Sequence, residues 1–178
     1  RRLLLPRMSL GIRSLLAKAG LANPFAPSIM PERLRRLTFL ERLRERGLNV
    51  IAIEVPGYNE ERNEFFRVEW IKYLRAPLAE KDKFISLCVR ECENRLHRAL
   101  EVLEGRPDVL MVYFPMPDIA HHLYLKCLAS MMRLHRAYWL AEKWVLRLKE
   151  ATGPDYACLV VSDHGFETRE ATHSEHGF

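Results

Sequence analysis

The sequence lacks two features that mark large protein classes: long hydrophobic runs and a dense cysteine pattern. It contains no run of about eighteen apolar residues, so we expect no membrane-spanning helix and no membrane partner. The segment Leu3–Pro6 is too short, and too closely flanked by arginine, for the apolar part of a secretion signal. No CxxC pair occurs among the four cysteines, which are Cys88, Cys92, Cys127 and Cys158. We therefore expect buried or half-buried free thiols and a cytoplasmic location.

Signatures of nucleic-acid binding are also missing. The 178 residues carry a formal net charge of +5, and residues 1–46 are rich in arginine. A basic balance favours anionic partners, and these include small molecules that carry a phosphate ester. Because the chain has no basic stripe interleaved with aromatic residues and no known nucleic-acid module, we do not expect nucleic acid as a partner.

Apolar patterning predicts one α/β domain. Residues 1–31 are rich in proline and predict a linker or peripheral segment, whereas residues 32–178 alternate between helix and strand patterns. The predicted helices cover residues 32–46, 59–78, 82–103 and 119–150, and the predicted strands cover residues 48–55, 109–114 and 156–161. Gly47 is expected to end the first helix and Asp82 to cap the third. This alternation predicts a mostly parallel central sheet with helices on both faces.

The segment after the second predicted strand offers the first candidate metal ligands. In open α/β sheets, ligands bind just beyond the carboxyl ends of the strands. Asp118 and His122 stand four residues apart at a helix start, so both side chains lie on one face and can reach one cation. His121 points about 100° away around the helix and is the weaker candidate. Alternatively, Asp118 only caps the helix and His122 is a surface residue.

The segment after the third predicted strand gives a sharper signal. An apolar strand runs almost directly into Asp163 and His164, and Gly165 permits a turn that aims both side chains into one crevice. An ordinary Asp-His-Gly turn is the alternative interpretation. Further along the chain, His173 and His176 are either additional ligands or plain surface residues.

Together these carboxylate and imidazole groups predict a two-metal site at the edge of the sheet. Both kinds of group are suitable ligands for zinc or manganese, and geometry favours neither metal over the other. Two dications held a few ångströms apart stabilise the attacking and leaving oxygens of phosphoryl transfer. The residues therefore point towards phosphate-ester chemistry.

The same segments resemble the alkaline phosphatase superfamily, specifically its type I phosphodiesterase/nucleotide pyrophosphatase branch. That branch has an Asp-x-x-x-His segment, then Ser-Asp-His-Gly after the next strand, and later His-x-x-x-Gly. Here these stand as Asp118–His122, Ser162–Gly165 and His173–Gly177. Gly47–Tyr58 resembles the branch's middle strand and the loop after it. The resemblance covers residues 32–178, which we interpret as a partial phosphodiesterase-like domain.

The resemblance implies roles for individual residues. Asp118, His122 and His173 would hold one metal ion, while Asp163 and His164 would help to hold the second. His173 is preferred to His176 because it fits the His-x-x-x-Gly spacing. The implied activity is the hydrolysis of small-molecule phosphate esters with two zinc or manganese ions, and a nucleotide is one candidate substrate.

The nucleophile that the resemblance implies has no match. The family uses a Thr or Ser at a helix start, after a strand that ends in a metal-binding Asp, and neither feature is found. We therefore expect that the chain was cut upstream of Arg1 and that the fragment is inactive alone. Three alternatives stay open: a phosphomutase or a sulfatase of the same superfamily, or a non-catalytic α/β interaction module.

Overall fold

The computed structural model describes residues 37–60, 62–125, 130–162, 164–167 and 172–173. These ranges contain helices α1 (Phe39–Glu45), α2 (Asn63–Tyr73), α3 (Leu78–Glu104), α4 (Met116–Tyr124) and α5 (Met131–Thr152). They also contain strands β1 (Val50–Ile53), β2 (Val109–Val112), β3 (Phe166–Glu167) and β4 (Thr172–His173). The predicted linker, residues 1–31, lies outside the described residues. No described helix is long and apolar enough to cross a membrane.

Helix α1 and strand β1 form where the sequence predicts them, in shorter form. Thr38 and Glu41 cap α1 reciprocally, since each side chain accepts a hydrogen bond from the other residue's backbone N–H. The chain leaves the helix at Gly47, whose φ of 83° favours glycine, and this confirms the predicted stop. Strand β1 then pairs with β2 in parallel, with Val50 opposite Val109.

The long helix α3 carries one side of the main core. Its buried apolar residues recur every three or four positions: Phe84, Cys88, Cys92, Leu96, Ala99 and Leu103. This spacing forms one stripe along the helix. The stripe packs against α4 and α5, and α3 also contacts both strands of the parallel pair. Each fully buried Leu or Phe contributes about 1.5–3 kcal/mol, so this stripe supplies a large share of the folding free energy.

The cysteines follow the expected pattern only in part. Cys88 and Cys92 are buried free thiols. Burial raises the pKa of the Cys92 thiol to about 12, so the thiol stays protonated and unreactive at neutral pH. Cys158 is free but exposed, against the expectation of a buried or half-buried thiol, because its segment is not packed in the sheet. Cys127 lies outside the described residues.

Asp82 does not cap α3, so this prediction is wrong. The helix begins one turn earlier, because Pro77 already has the extended backbone that precedes a helix (φ −55°, ψ 152°). The Asp82 carboxylate instead accepts two hydrogen bonds of 2.8 Å from the Arg133 guanidinium and one of 2.6 Å from the Tyr124 hydroxyl. The hydrogen bonds from Arg133 hold the pKa of Asp82 below its usual value. This contact ties α3 to α4 and α5.

The single helix predicted over residues 119–150 is two helices. Helix α4 begins earlier than predicted, and Pro117 lies in its first turn, where a missing backbone N–H costs little. Helix α4 ends at Tyr124 and α5 begins at Met131, while residues 126–129 lie outside the described residues. The two helices pack against each other, which one continuous helix cannot do.

The third predicted strand is not a strand in the structure. Residues 157–162 have no regular secondary structure, and the side chains of Leu159 and Val161 are 84% and 74% exposed. A β-branched sequence favours a strand, but pairing with a neighbour decides whether one forms. The parallel sheet in the described part of the chain consists of β1 and β2 alone. The arrangement is compatible with an α/β fold, but the full central sheet predicted from the sequence is not seen in these residues.

Candidate metal centre

Helix α4 presents the first pair of predicted ligands. It starts just beyond β2, so its first turn lies at the carboxyl end of the parallel pair, where α/β folds bind their ligands. Asp118 lies in that first turn, and His122 follows one turn later on the same face. Nε2 of His122 is 3.6 Å from Oδ1 of Asp118, and this oxygen is buried. The structure therefore brings these two side chains together.

His164 reaches the same carboxylate from a different segment. Its Nε2 lies 3.9 Å from Oδ1 of Asp118. Its Nδ1 lies 3.1 Å from the carbonyl oxygen of Gly165, and because a carbonyl only accepts, Nδ1 carries the proton. The Ser162 hydroxyl donates to the His164 carbonyl oxygen at 2.6 Å. In the neutral ring, Nε2 then presents a lone pair towards Asp118.

These three side chains, Asp118, His122 and His164, form what we call the histidine cluster. Zinc binds imidazole nitrogen and carboxylate oxygen at about 2.0–2.2 Å, so two ligand atoms on one tetrahedral ion lie about 3.4 Å apart. Asp118 and His122, which the resemblance assigns to one ion, are 3.6 Å apart and close to that value, whereas His164, assigned to the second ion, lies 3.9 Å from the same oxygen. A carboxylate oxygen and an imidazole lone pair that face each other repel unless a cation or a proton lies between them. The kinds of donor in this cluster, carboxylate and imidazole, suit zinc or manganese.

The histidine cluster is nevertheless incomplete as a metal site. Among the residues that the structure describes, no group of three or more His, Cys, Asp or Glu side chains is arranged to hold a metal ion. The three side chains are neighbours, but they do not enclose a common point. Asp163 and His176 lie outside the described residues.

Strand β4 places the backbone of His173 near the histidine cluster. His173 pairs with Phe166 across the antiparallel pair β3–β4. The ring of Phe166 contacts three imidazole rings, those of His121, His122 and His164. The hairpin therefore brings the His173 backbone into the same neighbourhood as the other predicted ligands.

His121 has both of its ring nitrogens engaged. Nδ1 donates to the carbonyl oxygen of Pro117 at 2.8 Å, so Nε2 of the neutral ring accepts from the Tyr138 hydroxyl at 3.1 Å. Burial raises the pKa of Tyr138, which keeps the hydroxyl protonated and able to donate. The buried imidazole also stacks on Phe166, with ring centroids 4.6 Å apart. These partners leave His121 as the weaker candidate ligand.

Aromatic side chains pack against the histidines, and the sequence did not predict these contacts. Trp70 of α2 stacks on His122, with ring centroids 4.0 Å apart and ring planes 12° apart. Phe166 meets the same imidazole edge-on, with centroids 4.9 Å apart and an angle of 80°. No local pattern in the sequence relates Trp70 to a histidine on another helix.

A second polar group, which we call the arginine cluster, consists of Glu54, Glu91 and Arg95. All three side chains are buried. Arg95 donates to Glu91 at 3.2 Å and to the carbonyl oxygen of Tyr113 at 2.9 Å, and its guanidinium lies 3.9 Å from Glu54. Glu54 follows β1 with a φ of 54°, a left-handed backbone that is uncommon for a residue with a side chain. Nothing in the sequence pattern indicated that these charges would meet.

The family model described as type I phosphodiesterase / nucleotide pyrophosphatase matches residues 38–176. The matched range contains the parallel pair β1–β2, the histidine cluster and every other predicted ligand. No curated protein and no solved structure matches the chain.

Proposed function

Because the chain belongs to the type I phosphodiesterase / nucleotide pyrophosphatase family, we propose that it carries metal ligands for the hydrolysis of phosphate esters. The family description supports the coarse class, a hydrolase of the phosphodiesterase or pyrophosphatase type. The finer proposal is a site for two zinc or manganese ions that acts with a Thr or Ser nucleophile. The proposed ligands are Asp118, His122 and His173 for one ion, and Asp163 and His164 for the other.

The observation that carries this proposal is the approach of two imidazoles to one carboxylate. Nε2 of His122 and Nε2 of His164 lie 3.6 and 3.9 Å from the same Asp118 oxygen, although they come from segments far apart in sequence. A bound dication supplies positive charge to the oxygens of the phosphate ester. The protein's part is to orient the ligands. The first turn of α4 holds Asp118, and the Gly165 carbonyl oxygen fixes the tautomer of His164.

Metal uptake tests the proposal directly. The chain would be freed of metal with a chelator, equilibrated with zinc or manganese, and its metal content measured by elemental analysis. We expect uptake by the wild type and an affinity more than about tenfold weaker in His122→Ala and in His164→Ala, since even changes beyond the ligands cost this much. His135→Ala, an exposed histidine on α5, is the matched control and should bind like the wild type.

Two results would decide against the proposal. Wild-type uptake below about a tenth of an ion per chain would favour the non-catalytic interaction module. Equal loss in His135→Ala and in the cluster variants would indicate binding by scattered surface histidines.

The substrate class is tested by calorimetry with a nucleoside monophosphate, which should bind the metal-loaded chain and should not bind the chelated chain.

A further inference from the structure

The imidazole of His122 is held between two aromatic rings from different elements. The indole of Trp70 lies parallel to it at 4.0 Å, and the ring of Phe166 meets it edge-on at 4.9 Å. Trp70 belongs to α2, which lies within the helix predicted over residues 59–78. Helix α2 also contacts α3 and α4, so the indole is supported from behind by packed helices.

This packing determines where the His122 nitrogen points. A histidine on a helix face can turn about two side-chain bonds, and only some orientations direct Nε2 at a given atom. The parallel stack on Trp70 fixes the plane of the imidazole ring. The edge contact with Phe166 limits how far the ring can rotate in that plane. In the observed orientation Nε2 faces the Asp118 oxygen at 3.6 Å. Loss of the stack would therefore release the ring without removing any ligand atom.

We propose that Trp70 is a positioning residue that holds His122 in its metal-binding orientation. The inference rests on the proposed function, because it assigns His122 as a ligand. It adds a role for α2, which supplies no proposed ligand of its own. Trp70 acts through His122 and touches neither metal nor substrate.

Two substitutions distinguish the effect of the Trp70 stacking surface from the effect of its size. Trp70→Leu keeps an apolar side chain but removes the stacking surface, and Trp70→Phe keeps a ring. Trp139→Leu is the matched control, because Trp139 is half exposed on α5 and lies under the Lys143 ammonium instead of an imidazole. Circular dichroism melts of all three variants would show whether each is folded.

The first measurement needs no metal. Proton NMR of the His122 ring, assigned by loss of its signals in His122→Ala, should show an upfield ring-current shift in the metal-free wild type. We expect this shift to disappear in Trp70→Leu, to persist in reduced form in Trp70→Phe and to be unchanged in Trp139→Leu. Ordinary His122 shifts in the wild type would overturn the inference, because the stack would not exist in solution.

The second measurement is zinc affinity by titration calorimetry. We expect the zinc Kd to rise about tenfold in Trp70→Leu, the lower end of the range for groups that orient a metal ligand. Trp70→Phe should stay within about threefold of the wild type, since a ring still supports the imidazole. If the wild type binds zinc and Trp70→Leu binds it equally well, this inference fails and the proposed function stands. If the wild type binds no zinc, the proposed function fails and takes this inference with it. Equal weakening in Trp139→Leu would also overturn the inference, because the effect would then be a general loss of stability.

Discussion

The arginine cluster and the histidine cluster follow neighbouring parallel strands, yet their charges are arranged differently. In the arginine cluster, Arg95 makes direct hydrogen bonds of 3.2 Å to Glu91 and 2.9 Å to a backbone carbonyl. In the histidine cluster, the nearest imidazole nitrogens stop at 3.6 and 3.9 Å from the carboxylate oxygen. Spacing alone does not separate the clusters, because Arg95 also lies 3.9 Å from Glu54. The difference is that the Arg95 cation bonds carboxylate and carbonyl oxygens directly, whereas the histidine cluster combines only groups that can serve as metal ligands. We therefore interpret the first cluster as structural, and the second remains the binding site that we propose.

The largest expected effect is the loss of the arginine cluster's only buried cation. Arg95→Ala leaves Glu54 and Glu91 buried without this partner, so the free energy of unfolding should fall by about 3–5 kcal/mol, as in other broken buried ion pairs. Urea unfolding followed by circular dichroism measures the change. Arg90→Ala, an exposed arginine on the same helix, is the control and should change stability by less than about 0.5 kcal/mol. A similarly small change in Arg95→Ala would show that the cluster is not structural.

The next effect should appear in metal affinity and leave folding unchanged. Asp118→Asn keeps the shape of the side chain but removes its charge, so zinc affinity should fall more than about tenfold. The free energy of unfolding without metal should change much less than in Arg95→Ala, because the Asp118 side chain is 31% exposed. Asp155→Asn, an exposed carboxylate on the surface, is the control for lost negative charge. If Asp118→Asn unfolds, and its zinc affinity falls only because of that unfolding, the distinction between the two clusters fails.

A smaller effect is expected beside the histidine cluster. His121→Phe keeps a ring that can stack on Phe166 but loses the hydrogen bonds to the Pro117 carbonyl oxygen and the Tyr138 hydroxyl. Stability should fall by about 1 kcal/mol, and zinc affinity should stay within about threefold of the wild type. His97→Phe, at an exposed position on α3, is the control for the added apolar surface. A tenfold loss of zinc affinity in His121→Phe would show that His121 belongs to the metal site.

Local sequence signals predicted those elements that depend on near neighbours. Gly47 marks the end of α1 as predicted, and the apolar runs at β1 and β2 lie in the predicted strands. The third strand failed for a physical reason. Residues 156–161 have strand composition, but a strand exists only when a neighbour pairs with it. The composition of residues 156–161 does not show whether a neighbouring strand is available to pair with them.

The sequence indicated that Asp118, His122 and His164 would lie close together, but not what surrounds them. Asp118 and His122 share a helix face by spacing alone, and the segment after the third predicted strand supplied His164. Trp70 could not be predicted, because its contact with His122 depends on how α2 and α4 pack. The same holds for Arg95, whose partner Glu54 comes from a distant segment of the chain. Long-range contacts such as these depend on the folded chain and carry no local pattern.

The smallest expected effect concerns the ion pair that ties α3 to α5. The pKa of Asp82 is lowered below 3.8 by its hydrogen bonds from Arg133, so its charged form is favoured in the folded state. The resulting stabilisation is present above the unfolded pKa and is lost as the pH falls through the lower, folded pKa. Wild type should therefore exceed Asp82→Asn in unfolding free energy above about pH 5, and the difference should shrink below about pH 4.

The difference in unfolding free energy between wild type and Asp82→Asn allows this surface contact to be compared with the buried arginine cluster. The two side chains of the Asp82–Arg133 pair are 37% and 38% exposed, so solvent screening should keep the difference below about 1 kcal/mol. It should also decrease in about 1 M salt, where screening acts over roughly 3 Å, whereas the effect of Arg95→Ala should persist. Thermal melts between about pH 2 and pH 7 measure the profile, and unfolding free energies in low and high salt measure the screening. If the stability difference between wild type and Asp82→Asn grows as the pH falls, the Asp82 carboxylate is not stabilised by Arg133. If Asp82→Asn and Arg95→Ala are equally sensitive to salt, burial does not distinguish the two ion pairs.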